Sequence, residues 1–262
     1  MRVFVLGSGS SGNCLVVEAD GERLVVDAGL GPSRAVERMR TLGEDLVTAR
    51  PPLGVFVTHD HGDHAAHALP LARALRSPLF AHEHVAIPRA RRRVDVQGYV
   101  PGSPVSLGPF LVEALGIPHD APHVALRVSA GPYRMAIATD LGHATRELCE
   151  FLAQCDLVLL ESNYCPQMLA DGPYPPRLKS RVAGPVGHLA NEQTASVARF
   201  LENTRVARLV LVHLSRTNNT PERALAVVAS RVRQLAVEAL PHGHAQRLDV
   251  KRGRPQQLSL AF

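Results

Sequence analysis

The chain has 262 residues, 45% apolar and 20% charged. These proportions exclude a disordered or collagen-like polymer and suit an ordinary soluble globular protein, with no linker or compositional break to divide it, so one domain over 1–262 is expected. The net charge of +5 is carried almost entirely by arginine, with Lys179 and Lys251 the exceptions; it leaves a polyanionic partner open, and a GC-rich genome would produce the same bias.

Met1–Leu6 is apolar too briefly for a signal-peptide core, and no later run approaches a membrane span. Arg2–Leu6, Leu15–Glu18 and Arg23–Asp27 read as strands, with Asp20-Gly21 as a hairpin turn. Between the first two lies Gly7-Ser8-Gly9-Ser10-Ser11-Gly12-Asn13. Its glycines permit tight backbone, and Ser8, Ser11 and Asn13 can face an anion. A turn without a ligand is the competing reading, and the Gly-Lys-Ser/Thr ending of a Walker loop is missing. The run Leu24–Val26 ends on Asp27, an acid costly to bury unless paired. We read it as the acceptor that orients a ligand histidine and fixes its tautomer, against a cap or turn acid. Ser33–Leu42 looks like a helix capped by Ser33.

The apolar run Leu53–Val57 leads into Thr58-His59-Asp60-His61-Gly62-Asp63-His64. A His-rich tract can bind metal adventitiously. This one stands at the end of a strand, where an open sheet presents its ligand-binding edge. Imidazole and carboxylate together suit zinc, manganese or iron, and the density suggests two ions. A dinuclear metallohydrolase is the expectation. Ala65–Leu75 has helical spacing, which puts Asp63 and His64 at a helix start. Leu79–Ala81 reads as a short strand, and His82-Glu83-His84 as the opening of another helix with no ligand role, like His67. Arg89–Arg93 could track a phosphate backbone, but without interleaved aromatics it reads as a solvated face.

Phe110–Ile117, Val124–Ala130 and Tyr133–Ala138 form a second strand series. Two such series, each followed by helices, suit an α/β fold with two sheets inside and helices outside. His119 follows a strand, with His123 a nearby competitor, and Ala136–Gly142 repeats the strand-then-carboxylate pattern at Asp140. Asp156–Leu160 leads to Glu161-Ser162-Asn163, and Arg208–Val212 leads to His213. Between them, Gly172–Arg181 is basic and loop-like, and Gly187-His188 precedes the helix Thr194–Leu201. Arg177, Lys179, Arg181 and His188 are read as phosphate contacts, with solvated helix ends as the alternative. Pro221–Leu235 reads as a helix, and from Gln246 an edge strand leads into a disordered end. Cys14, Cys149, Cys155 and Cys165 show no C-x-x-C spacing, so reduced thiols and a cytoplasmic location are expected.

The residues His59, His61, Asp63 and His64 match the H-x-H-x-D-H motif of the metallo-β-lactamase fold at every fixed position. Gly7–Asn13, Glu161-Ser162-Asn163, Tyr174–Lys179, Gly187-His188-Leu189 and His213–Asn219 resemble the YycJ/WalJ-type subgroup, and the likeness covers nearly the whole chain. The resemblance implies an αββα sandwich and a phosphodiesterase with 5′→3′ exonuclease action on double-stranded DNA. It implies that His59, His61 and His119 hold one metal, that Asp63, His64 and His213 hold a second, and that Asp140 bridges them. Zn2+ or Mn2+ is expected, with iron admissible. Asp63, His188 and His213 would serve catalysis around a hydroxide activated between the ions. Ser8, Ser11, Asn13, Asn163, Arg177, Lys179, Arg181 and His188 would bind substrate. The sequence departs from commoner forms at Asp60, Ala65-Ala66-His67 and Ala190, which bear on substrate preference. Rival readings are a small-molecule or cyclic-nucleotide phosphodiesterase, a thioester hydrolase, and a metal-dependent binding module without turnover.

Overall fold

A computed structural model describes residues 1–82, 85 and 94–253. The Glu83-His84 part of the expected helix, the Arg89–Arg93 run and the tail beyond Gly253 lie outside the described residues. His82 itself closes a strand rather than opening a helix.

Alternation along each strand builds the layers. In β1 (Arg2–Gly7), Val3 and Val5 face one core together with Val17 and Leu24, while Phe4 and Leu6 face another with Val16 and Val25. A strand buried on both faces must read as a continuous apolar run, as this one does. β2 (Cys14–Ala19), β3 (Glu22–Val26), β4 (Gly54–Val57), β5 (Leu79–His82) and β6 (Val96–Tyr99) follow in the first sheet. β7 (Val105–Leu107), β8 (Phe110–Ile117), β9 (His123–Ala130), β10 (Tyr133–Ala138), β11 (Leu157–Glu161), β12 (Arg208–Val212) and β13 (Ala236–Ala239) make the second, and β14 (Gln246–Asp249) returns to the first. Among the described residues each sheet has seven strands, ordered β14-β1-β2-β3-β4-β5-β6 and β13-β12-β11-β10-β9-β8-β7. In both, the later half is parallel, β3 to β6 and β10 to β13, so several strands deliver their C-terminal ends to one edge.

The inner faces share one core, from Phe56 and Phe80 on one side to Phe110 and Leu126 on the other. Helices α1 (Pro32–Thr41), α2 (Gly62–Ala65) and α3 (Ala68–Leu75) accompany the first sheet, with Met39 and Leu71 in its outer core. The second sheet is covered through Leu148 and Leu152 of α4 (Arg146–Ala153), Ala198 and Leu201 of α7 (Asn191–Leu201), and Val228 of α8 (Pro221–Ala229). The short helices α5 (Pro166–Asp171) and α6 (Pro176–Val182) lie between β11 and α7 in the chain. This is the expected αββα sandwich. Among the described residues no helix is long and apolar enough to cross a membrane.

Four further local expectations need correction. Gly31, not Ser33, is the N-cap of α1, because Pro32 takes the first helical position and lacks the N–H that a cap would satisfy. The stretch Ala65–Leu75 breaks between α2 and α3, since His67 N donates to Ala28 O at 2.9 Å instead of continuing the helix. Gly172–Arg181 is not all loop, because Pro176 starts α6 in the same way. The helix beginning at Pro221 stops at Ala229; Val232 and Leu235 keep the helical spacing but pack into the same core from the return to β13.

Candidate metal centre

Three strands hand a side chain to the shared edge by the same device. Asp27 after β3, Asp140 after β10 and His213 after β12 have φ of 62°, 55° and 54°. This left-handed region is sparsely populated by residues other than glycine, and strain of this kind gathers at functional sites. The H-x-H-x-D-H loop is tied to the end of β3 by backbone, with Ala28 N donating to His64 O at 2.6 Å and Asn13 N to Asp63 O at 2.7 Å. A Cβ on Gly29 would lie 1.8 Å from Asp63 O, so only glycine allows this approach.

Among the described residues donor atoms converge in two separate groups, and a third set, Asp140, Glu161, His188 and His213, overlaps the second. One nitrogen from each of His59, His61 and His119 lies within 4.8 Å of the others, and so do single ligand atoms of Asp63, His64, Asp140 and His213. His61 Nδ1 and His119 Nε2 are 3.2 Å apart, and His64 Nε2 is 2.9 Å from Asp140 Oδ2. His213 Nε2 is 3.5 Å from both Asp63 Oδ2 and Asp140 Oδ1.

The opposite nitrogen of each ring is anchored. His64 Nδ1 lies 2.7 Å from Asp27 Oδ2, and His213 Nδ1 lies 2.9 Å from Glu161 Oε1. His119 Nδ1 donates to Val186 O at 3.1 Å, and His61 Nε2 is 3.3 Å from Asp120 Oδ1. His59 Nδ1 is 3.2 Å from Thr58 Oγ1, which donates in turn to Asp27. Anchoring one nitrogen fixes the tautomer and turns the other, as a basic donor, into the site. His59 Nε2 is buried with no hydrogen-bond partner among the described residues. A buried orphan of that kind is costly in a protein alone and satisfied by a cation. The donor set therefore fits metal, and these clusters are able to bind it.

The charges agree with a site built for cations. Burial opposes protonation of His64, yet Asp27 and Asp140 outweigh it and hold the ring up at about 10. His213 is likewise raised despite burial, by Asp140, Asp63 and Glu161. Burial lowers His59 strongly, and the neighbouring His123 and His64 lower it further. Burial also tends to raise Glu161, but His188 and His213 bring it down to about 2.

The other sequence-derived candidates separate by placement. A cavity of about 260 Å³ beside the donor groups is lined by Ser10, Asp120, Leu178, Arg181 and His188, among others. Arg181 and His188 thus reach it, whereas Arg177 is exposed outside its lining and Lys179 Nζ donates to Ala170 O. Ser8 Oγ accepts from His213 N at 2.7 Å, and Asn163 Nδ2 donates to His213 O at 2.9 Å, so both hold the backbone of His213. Asn13 Oδ1 accepts from Gly9 N, and its Nδ2 lies 2.8 Å from His64 Nε2 and 3.3 Å from Asp63 Oδ2. Ser11 is exposed and does not line the cavity; Ser10 does. His123, the competitor of His119, belongs to neither donor group; its Nε2 lies 2.6 Å from Thr139 O, and burial lowers it to about 4. Sequence reasoning overlooks Glu161, although it closes the apolar run of β11 as Asp27 follows that of β3. It also overlooks Asp120, for which adjacency to His119 is the only signal.

The profile of the beta-lactamase superfamily domain matches residues 22–214. Exodeoxyribonuclease YycJ of Bacillus anthracis is 31% identical over 234 residues, 86% of each chain. The chain belongs to the β-lactamase superfamily, in its YycJ/WalJ branch. Exodeoxyribonuclease WalJ of Streptococcus pneumoniae is 28% identical over 244 residues, 89% of this chain and 88% of that one. Among solved structures, the metallo-β-lactamase fold protein YhfI of Bacillus subtilis superposes with a TM-score of 0.69 at 18% identity, over 94% of this chain and 99% of that one. At that identity it speaks for the fold. As a superfamily member with such relatives and such clusters, the protein is a metal-dependent hydrolase.

Proposed function

We propose that the protein is a two-metal phosphodiesterase acting on DNA, an exonuclease that works from the 5′ end of duplexes in the cytoplasm. His59, His61 and His119 would hold one divalent cation, Asp63, His64 and His213 a second, and Asp140 would serve both. The mixed imidazole and carboxylate donors suit Zn2+ or Mn2+, with iron admissible. When bound, such a pair activates water and neutralises charge on a phosphoryl group. The observation that carries the phosphoryl reading is the placement of Arg181 and His188 on the same cavity as the two donor groups. The exodeoxyribonuclease names of the relatives support DNA as substrate, and four free cysteines suit a reducing compartment.

The chain's own residues divide the work. Arg181 offers a planar fork of donors to phosphate oxygens. His188 has its Nδ1 2.8 Å from Glu161 Oε1, which leaves the other nitrogen to give a proton to the departing oxygen. Burial works against that proton, but Glu161 and Asp140 outweigh it and raise the ring. His213, the other candidate acid, is engaged at both nitrogens, which favours His188. A cavity of about 260 Å³ also suits a small phosphodiester, so that substrate is the second reading.

The test is degradation of 5′- or 3′-labelled duplex DNA, single-stranded DNA, RNA and bis(p-nitrophenyl) phosphate across several metals. Metal-dependent release of 5′-terminal nucleotides from duplex is expected. Cleavage of the small diester alone would leave only the second reading. Full activity after metal removal, or hydrolysis of a glutathione thioester in place of any phosphodiester, would overturn both.

A further inference from the structure

One acid at the rim of the cavity belongs to neither donor group. Asp120 follows His119 in the turn between β8 and β9, and its two oxygens face different partners. Oδ2 accepts from Arg181 Nε at 3.0 Å and from Arg181 Nη2 at 2.7 Å. Oδ1 lies 3.3 Å from His61 Nε2, the nitrogen turned away from the donor group, and 3.2 Å from His119 Nε2. Asp120 is not among the residues whose ligand atoms gather with that of His59, although its Oδ1 touches His119 at the nitrogen that faces the site.

Arg181 lies in the last turn of α6, and its side chain is 63% exposed. A long exposed side chain loses rotamer freedom when it grips a ligand, unless something already holds it. The grip of Asp120 on Nε and one Nη2 proton does this from the side and leaves Nη1 and the outer edge of the guanidinium to receive oxygens. Leu178 and Val182 of the same helix line the cavity next to it. An anionic group held beside an apolar wall describes a nucleotide better than a bare phosphate.

We propose that Asp120 is a positioning residue for Arg181, and that the pair clamps a phosphate on the terminal nucleotide of the substrate, with Leu178 and Val182 against its sugar or base. The proposal rests on the phosphodiesterase reading and narrows it to ends that carry a phosphate. A merely structural Asp120 would act through His61 and change metal content instead.

The experiment measures binding of thymidine 5′-monophosphate and of thymidine to metal-loaded protein by calorimetry, with metal content determined for each sample. Wild type is compared with Asp120→Asn, Arg181→Ala, Arg181→Lys and the Asp120→Asn/Arg181→Ala double variant. The preference of wild type for the monophosphate is expected to shrink about tenfold in Asp120→Asn and in Arg181→Ala, the usual scale for one charge-assisted pair. Arg181→Lys is expected to recover part of it, and the double variant to lose no more than Arg181→Ala, since the two residues act as one unit. Equal affinity for both ligands in wild type, fully additive losses, or a loss in Asp120→Asn that tracks lost metal would each overturn the clamp. Because binding is the readout, a protein that binds the monophosphate through this pair yet cleaves no DNA would refute the nuclease reading and leave the clamp standing.

Discussion

The donor cluster at the strand ends and the α5–α6 segment beside it are built on opposite terms. In the cluster, His59, His64, Asp140, Glu161 and His213 are buried, each donor histidine is tied at its far nitrogen, and several residues sit in strained backbone. In the segment, Arg177 and Arg181 are exposed and Lys179 is half-buried, on a seven-residue helix, and of these only Arg181 reaches the cavity. The buried donors are held from several sides, whereas Arg181, the one cation of the segment on the cavity, is held from one side by Asp120 and otherwise faces solvent. Asp120 joins the two regions, because it touches both His61 and Arg181.

This contrast orders the expected effects of substitution. His61→Ala and Asp140→Ala remove donors from the cluster, and metal-dependent cleavage is expected to fall by at least about a thousandfold; an assay with either variant near wild-type rate would break the comparison. Glu161→Gln and Asp27→Asn keep shape but lose the charge behind His213, His188 and His64. Metal affinity or kcat is expected to fall about 10–100-fold, read by metal analysis together with turnover. A proton retained on His64 up to about pH 10 in metal-free protein must leave before a cation binds there. Metal affinity should therefore strengthen as pH rises from 6 towards 9, and weaken as it falls; affinity flat over that window, measured with a competing chelator, would contradict the proton's presence. At the exposed end, Arg177→Ala and Lys179→Ala are expected to change monophosphate binding by no more than about twofold. A larger loss for either would show that recognition extends beyond the cavity.

The same contrast explains what could be read from sequence. Asp27, His59 and Asp140 follow continuous apolar runs, and a polar residue at the end of a buried strand is conspicuous because burial makes it costly. The two strand series were legible for the same reason, and with them the sandwich. The path of α6 was not: a short helix begun at Pro176 and carrying Arg177, Lys179 and Arg181 has the composition of a loop. The end of α8 was masked by Val232 and Leu235, whose spacing continues the helix although the chain has turned. Asp120 and the exposed Ser10 owe their place to tertiary approach, across 61 positions in the case of Asp120 and Arg181, which no local pattern records.

Metal stoichiometry tests the central claim most directly. Protein stripped by chelator and dialysed against Zn2+ or Mn2+ is predicted to bind two ions per chain, and Asp140→Ala to weaken both, because in the proposed centre one carboxylate would serve both ions. One ion per chain, or two ions indifferent to the loss of Asp140, would contradict a shared dinuclear centre.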